Sequence, residues 1–180
     1  ASRGRQFLAL RYFDGFYLDA PDLSEDQREP RYSSAYGYLA EFSFYRQNFY
    51  KTRYVFGFGR TEDIPYGISL GITGGYVREV QIERPYGAFK LRYADASRKG
   101  NFYRVIVKTG GYVRDSGLED FIIQGTTTYF TRALNVKRSK FRTLLSADYT
   151  QLLNRNVSDW LKMSNRYIPG FSADSVVADK

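Results

Sequence analysis

The feature that most constrains the fold is a strict two-residue alternation of side chains across residues 34–60. Every second residue from Tyr36 to Phe44 is aromatic or Ala, and every second residue from Tyr50 to Phe58 is aromatic or Thr. The positions between them carry mostly small, polar or charged side chains. Since successive side chains on a β-strand point to opposite faces, this pattern predicts two long strands with one aromatic face each.

The rest of the chain repeats this pattern, with turn signals between the strands. Tight turns are predicted at 14–15, 46–49 and 61–67, so that 34–60 forms a hairpin. Further strands are predicted over these ranges: 7–13, 68–80, 86–94, 101–113, 120–134 and 139–152. No segment follows a helical period. The 180 residues therefore predict one all-β domain, an antiparallel meander of about seven or eight long strands.

The length of the predicted strands favours a membrane β-barrel, or a substantial part of one. Strands of soluble proteins cluster near five or six residues, whereas tilted strands that cross a bilayer need about nine to eleven. Tyrosines stand near the ends of the aromatic faces, as in interfacial girdles; they are Tyr36, Tyr50, Tyr76, Tyr93 and Tyr103. A soluble β-barrel or β-sandwich that binds an apolar or anionic ligand remains the alternative.

A barrel would turn one face of each strand to lipid and the other to its lumen. The predicted lipid-facing aromatic residues are Tyr36, Tyr38, Phe42, Phe44, Tyr54, Phe56, Phe58, Phe89 and Tyr93. The predicted lumen-lining basic residues are Lys51, Arg53, Lys90, Arg92, Arg104, Lys108, Lys140 and Arg142. Their predicted acidic partners are Glu41, Glu79 and Asp148. Such cations could favour anions or pair with an acidic plug, and a charge-balanced structural lumen is the other interpretation.

Composition argues against catalysis. The chain has no His and no Cys, which removes a Ser-His-Asp triad, thiolate chemistry and the common zinc sites. The carboxylate pairs Glu62-Asp63 and Glu119-Asp120 stand beside turn signals and are predicted to be solvated turn residues. We expect no enzyme activity, no metal and no cofactor. The net charge of +8 would suit an anionic surface, but the aromatic residues lie opposite the cations, so we expect no nucleic-acid partner.

Three stretches, 58–67, 140–149 and 168–175, resemble the bacterial surface-antigen barrel family, which includes the barrel-assembly factor and the exporters of two-partner secretion. The resemblance implies a barrel in the outer membrane of a Gram-negative bacterium, in contact with the lipid bilayer and lipopolysaccharide. It implies a role in translocation of a polypeptide or solute, or in outer-membrane assembly. Gly170 and Phe171 match the family's loop motif, and Pro169 stands where the family has an Arg that pairs with lumen acids. Barrels of this family have more strands than this chain supplies, so we expect a part of one.

Overall fold

A computed structural model of the chain describes residues 3–16, 34–53, 59–79, 82–97, 100–114, 117–154, 161–163 and 176–178. The strands are β1 (Arg5–Gly15), β2 (Ala35–Arg53), β3 (Thr61–Glu79), β4 (Ile82–Ala96), β5 (Phe102–Arg114), β6 (Gly117–Phe130), β7 (Leu134–Val136), β8 (Ser139–Phe141), β9 (Leu144–Leu153), β10 (Leu161–Met163) and β11 (Val176–Ala178). Within these residues no helix has the length and apolar character needed to cross a membrane.

Seven strands form one antiparallel sheet in the order β1-β2-β3-β4-β5-β6-β9. Each strand pairs with its neighbours along the chain, apart from the short β7–β8 hairpin that is inserted before β9. The predicted all-β antiparallel meander is therefore confirmed. Among the described residues no pairing joins β1 to β9, so the sheet is open, as it is in part of a barrel.

The hairpin predicted for residues 34–60 is wrong. Residues 46–49 lie inside β2, which runs unbroken for 19 residues. The segment 61–67 is the first part of β3 rather than a turn, and Arg53 pairs with Thr61. Residues 46–49 contain neither Gly nor Pro, and their pairing with β3 makes them an ordinary stretch of strand. Gly59, at a φ of 79°, lies in the connection that does separate the two strands.

The single strand predicted for residues 139–152 is also wrong. The chain forms the short β8, leaves the strand conformation after Phe141, and enters the main sheet only with β9. Lys137, at a φ of 51°, lies in the turn between β7 and β8. The turn predicted at Asp14 and Gly15 is likewise absent, because both residues pair with β2 at the end of β1.

Most of the buried side chains of the sheet lie on one of its faces. Val77 lies opposite Arg84, Ala94 opposite Arg104, and Phe102 opposite Phe130, and alternation places these six side chains on one face. All but Arg104 are buried. We call this face the concave face, and the opposite one the convex face.

A small apolar cluster lies on the concave face at one end of the strands. Ile64, Ala94, Phe102 and Phe130 are its buried members, and the rings of Phe102 and Phe130 stack with centroids 4.6 Å apart. This end carries the longer connections, 54–60, 97–101 and 131–143. At the opposite end, β3–β4 and β5–β6 are joined through residues 80–81 and 115–116, and β1–β2 through the longer segment 16–34. We call these the loop end and the turn end.

Candidate functional site on the concave face

A polar row crosses the middle of the concave face. The register places six residues side by side on consecutive strands of the sheet from β2 to β9. They are Ser43, Gly71, Lys90, Lys108, Gln124 and Thr150. Two lysines therefore lie directly opposite each other on adjacent strands, in the centre of the row.

Small side chains in and next to this row leave space for a groove. A groove on the concave face is lined by Gly71, Thr73, Ala88 and Gly110 together with both lysines. Packing at its floor is tight, since a Cβ atom added at Gly110 would lie 3.0 Å from the Cβ atom of Ala88. The charged groups of this groove are the two ammonium groups and the carboxylate of Glu41.

The structure brings four of the eight predicted lumen-lining cations together. Lys90 and Arg92 lie on the concave face of β4, and Arg104 and Lys108 lie on the concave face of β5. One of the four has a side-chain partner in the described residues, because Arg104 Nη2 donates to Thr128 Oγ1 at 3.3 Å. The middle of the concave face is therefore strongly cationic.

The other four predicted cations lie apart from this group. Lys51 pairs in register with Asp63 near the end of β2, and Arg53 Nε donates to Thr61 Oγ1 at 3.3 Å. Lys140 lies in β8, outside the seven-stranded sheet. Arg142 lies between β8 and β9 with its guanidinium 5.5 Å from the ring centroid of Phe130.

The three predicted acidic partners accept hydrogen bonds from hydroxyl groups. Glu41 accepts from Ser43 at 2.6 Å, and Asp148 accepts from Thr126 at 2.7 Å. Glu79 accepts from the hydroxyl of Tyr112 at 3.3 Å. None of these three carboxylates makes an ion pair with a predicted lumen cation in the described part of the chain.

Sequence reasoning missed the most buried charged residue that the structure describes, Arg84 on the concave face near the turn end. Its exposed fraction is 2%. Its Nη1 atom contacts a carboxylate oxygen of Asp120 at 2.7 Å and one of Glu119 at 3.1 Å. The guanidinium also lies 4.0 Å from the ring centroid of Tyr112. We call these four residues the Arg84 cluster.

A β-bulge explains how two adjacent carboxylates reach one arginine. Neighbouring residues on a regular strand point to opposite faces, but the β5–β6 register shifts between Gly110 and Tyr112. Asp120 takes a φ of 49°, and its amide donates to the carbonyl of Asn154 at 2.9 Å. The prediction that Glu119 and Asp120 are solvated turn residues is therefore wrong. The signal available in the sequence was the charge of Arg84, which lies near the start of β4.

The described lipid-facing candidates share the convex face. Tyr36, Tyr38, Phe42 and Phe44 alternate along β2, and Phe42 shares its row with Ile72 and Phe89. Tyr93 lies on the same face of β4 as Phe89. The candidates Tyr54, Phe56 and Phe58, and the loop-motif residues Gly170 and Phe171, lie outside the described residues. Further exposed apolar residues on this face are Leu8, Leu10, Tyr12, Ile68, Ile72, Tyr76, Tyr103, Leu145 and Tyr149.

Tyrosines mark two levels of the convex face. Near the turn end, Tyr12, Tyr38 and Tyr76 lie side by side on β1, β2 and β3. Near the loop end, Tyr103 lies beside Tyr129, and its ring is 5.8 Å from that of Tyr93. Between these levels β3, β4, β5 and β6 carry no charged side chain on the convex face. On these four strands the face is therefore an apolar band bordered by phenol groups.

No protein-family model, curated protein or solved structure matches this chain.

Proposed function

We propose that this chain forms part of a β-barrel in the outer membrane of a Gram-negative bacterium. In this proposal the convex face contacts lipid, and the concave face lines the lumen. The role is non-enzymatic: passage of a polypeptide or solute, or assembly of outer-membrane components. The observation that carries the proposal is the exposed apolar band between two levels of tyrosine.

The height of this band matches the thickness that a bilayer requires. On β4 the turn-end level is marked by Pro85, which pairs with Tyr76, and the loop-end level by Asp95, which pairs with Tyr103. The ten steps from Pro85 to Asp95 cover about 33 Å at about 3.3 Å per residue. At a strand tilt of about 40° this distance spans about 25 Å, which is the height of the apolar band on outer-membrane barrels.

Exposure on the convex face argues against a soluble sheet. Leu10 is 81% exposed, Leu8 is 68% exposed and Ile72 is 51% exposed. Soluble monomers rarely expose a continuous apolar patch of this extent, because burial of such surface drives folding or association. In a bilayer the same side chains would contact acyl chains, and closure of the barrel of which this sheet is a part would satisfy the backbone groups at its edges.

The concave face and the connections support passage through a lumen. Charged and hydroxyl side chains lie on the concave face, as they do in water-filled barrels. Two of the three connections at the turn end, 80–81 and 115–116, are two residues long, and outer-membrane barrels place their short turns on the periplasmic side. The resemblance to surface-antigen barrels supports protein translocation or assembly as the form of this role.

The first test is the dependence of folding on detergent. We expect the purified chain, refolded without detergent, to aggregate, because the convex face remains uncovered. Refolded in detergent micelles, it should be rich in β-structure by circular dichroism and should give a discrete species on size-exclusion chromatography. A stable β-rich monomer in plain buffer would contradict the proposal and favour a soluble β-barrel or β-sandwich that binds an apolar or anionic ligand.

A further inference from the structure

We infer that Lys90 and Lys108 form a binding site for a small oxyanion with two or more negative charges, of the inorganic phosphate type, on the concave face. The inference rests on the proposed function to the extent that the concave face is an aqueous lumen. It adds a ligand class and a defined location to that function.

The positive charges of the two lysines repel each other, because the strand register places these residues directly opposite one another. They face each other across β4 and β5, and side chains at such positions have Cβ atoms about 4.5–5.5 Å apart. Like charges at directly opposed positions destabilise a sheet unless a counter-charge lies between them. Neither ammonium group lies within ion-pair distance of a carboxylate in the described residues. Both side chains are exposed, so an anion from solution can reach them.

The surroundings add positive charge and hydrogen-bond donors. Arg92 follows Lys90 on the concave face of β4, and the amide of Gln124 lies beside Lys108 in the same row. The Nε atom of Arg104, on the same face of β5, is buried and has no hydrogen-bond partner. Glu41 is the acidic residue of the groove, and its carboxylate accepts the Ser43 hydroxyl at 2.6 Å.

The lysine pair and the Arg84 cluster differ in the carboxylates that their cations contact. There, two carboxylates contact one buried cation. In the middle of the same face, two opposed lysines and Arg92 have no carboxylate partner among the described residues. Each ammonium group offers three donors, and a phosphate dianion offers acceptors to both lysines at once. A dianion between them would replace repulsion with attraction.

The test compares thermal unfolding in detergent micelles with inorganic phosphate and with chloride at equal ionic strength. A ligand that binds the folded state raises the unfolding midpoint as its concentration rises above Kd. We expect phosphate to raise the midpoint of the unmodified chain beyond the general stabilising effect of this salt, and we expect this specific phosphate response to be absent from the Lys90→Gln/Lys108→Gln variant. The control Lys137→Asn/Arg138→Gln removes the same charge from the exposed β7–β8 turn and should keep the phosphate response.

A second measurement separates loss of the site from loss of the fold. Lys108→Gln alone relieves the repulsion, so in chloride its unfolding midpoint should equal or exceed that of the unmodified chain, while its phosphate response is lost. Equal phosphate responses in all variants, or none in the unmodified chain, would overturn the site. A chain that stays a folded monomer in plain buffer and still responds to phosphate through these lysines would retain the site and refute the membrane proposal.

Discussion

Replacing Arg84 with methionine is expected to lower the free energy of unfolding by about 3–5 kcal/mol, because removing one partner of a buried ion pair leaves the other charge uncompensated. Both carboxylates lose their contact with Arg84 Nη1, and Glu119 keeps only the more exposed Arg114 at 3.9 Å among its ion pairs in the described residues. The loss is measured by urea unfolding in detergent micelles, followed by circular dichroism.

Two further variants make this result specific to the Arg84 cluster. Arg78→Met removes an arginine from the same end of the sheet, but that side chain is 44% exposed and lies 3.9 Å from Glu83, so the loss should be much smaller. Combining Arg84→Met with Glu119→Gln and Asp120→Asn should recover much of the lost stability, because the two groups that contact Arg84 are then neutral. Equal losses for Arg84→Met and Arg78→Met would contradict the buried cluster.

Replacing Gly75 with alanine is expected to cost about 3 kcal/mol of unfolding free energy, at the upper end of what overpacking usually costs. A Cβ atom at Gly75 would lie 1.9 Å from the carbonyl oxygen of Tyr38 and 2.9 Å from the Cα atom of Leu39. Both are backbone atoms of β2, so the strands themselves would have to separate. Urea unfolding of the refolded variant measures the cost.

The neighbouring residue provides a matched control in the same strand. A Cβ atom at Gly74 would meet its nearest atom at 4.0 Å, so Gly74→Ala introduces no clash. Its stability should be unchanged or raised by up to about 1 kcal/mol, because alanine reduces the entropy of the unfolded chain. If both variants lost the same stability, the close approach of β2 and β3 at Tyr38 would be wrong.

The period of the side chains predicted the faces of the sheet better than it predicted the turns. The break between the two alternating runs predicts a turn at residues 46–49, yet these residues continue β2. The described aromatic candidates still share one face, because an even spacing preserves alternation whether the chain turns or continues. Turn positions depend on backbone conformations that polar residues accept but do not require, so they were harder to predict.

The Arg84 cluster could not be predicted from local pattern. Arg84 and Asp120 are 36 residues apart in the chain, and their contact depends on the β5–β6 bulge. Asp120 has a positive φ, which is uncommon for residues other than glycine, and the residues around it do not predict this conformation. The opposition of Lys90 and Lys108 depends likewise on the β4–β5 register, although alternation alone placed both on one face.

The most direct test of the membrane proposal measures which face of β3 contacts lipid. The chain contains no cysteine, so single cysteines can carry a nitroxide label without removal of native thiols. Labels at Leu70 and Ile72 on the convex face, and at Ser69 and Thr73 on the concave face, would be studied by electron paramagnetic resonance in phosphatidylcholine bilayers. We predict faster collision with oxygen at Leu70 and Ile72, and faster collision with a water-soluble nickel chelate at Ser69 and Thr73. Equal or reversed accessibility of the two faces would contradict the proposal.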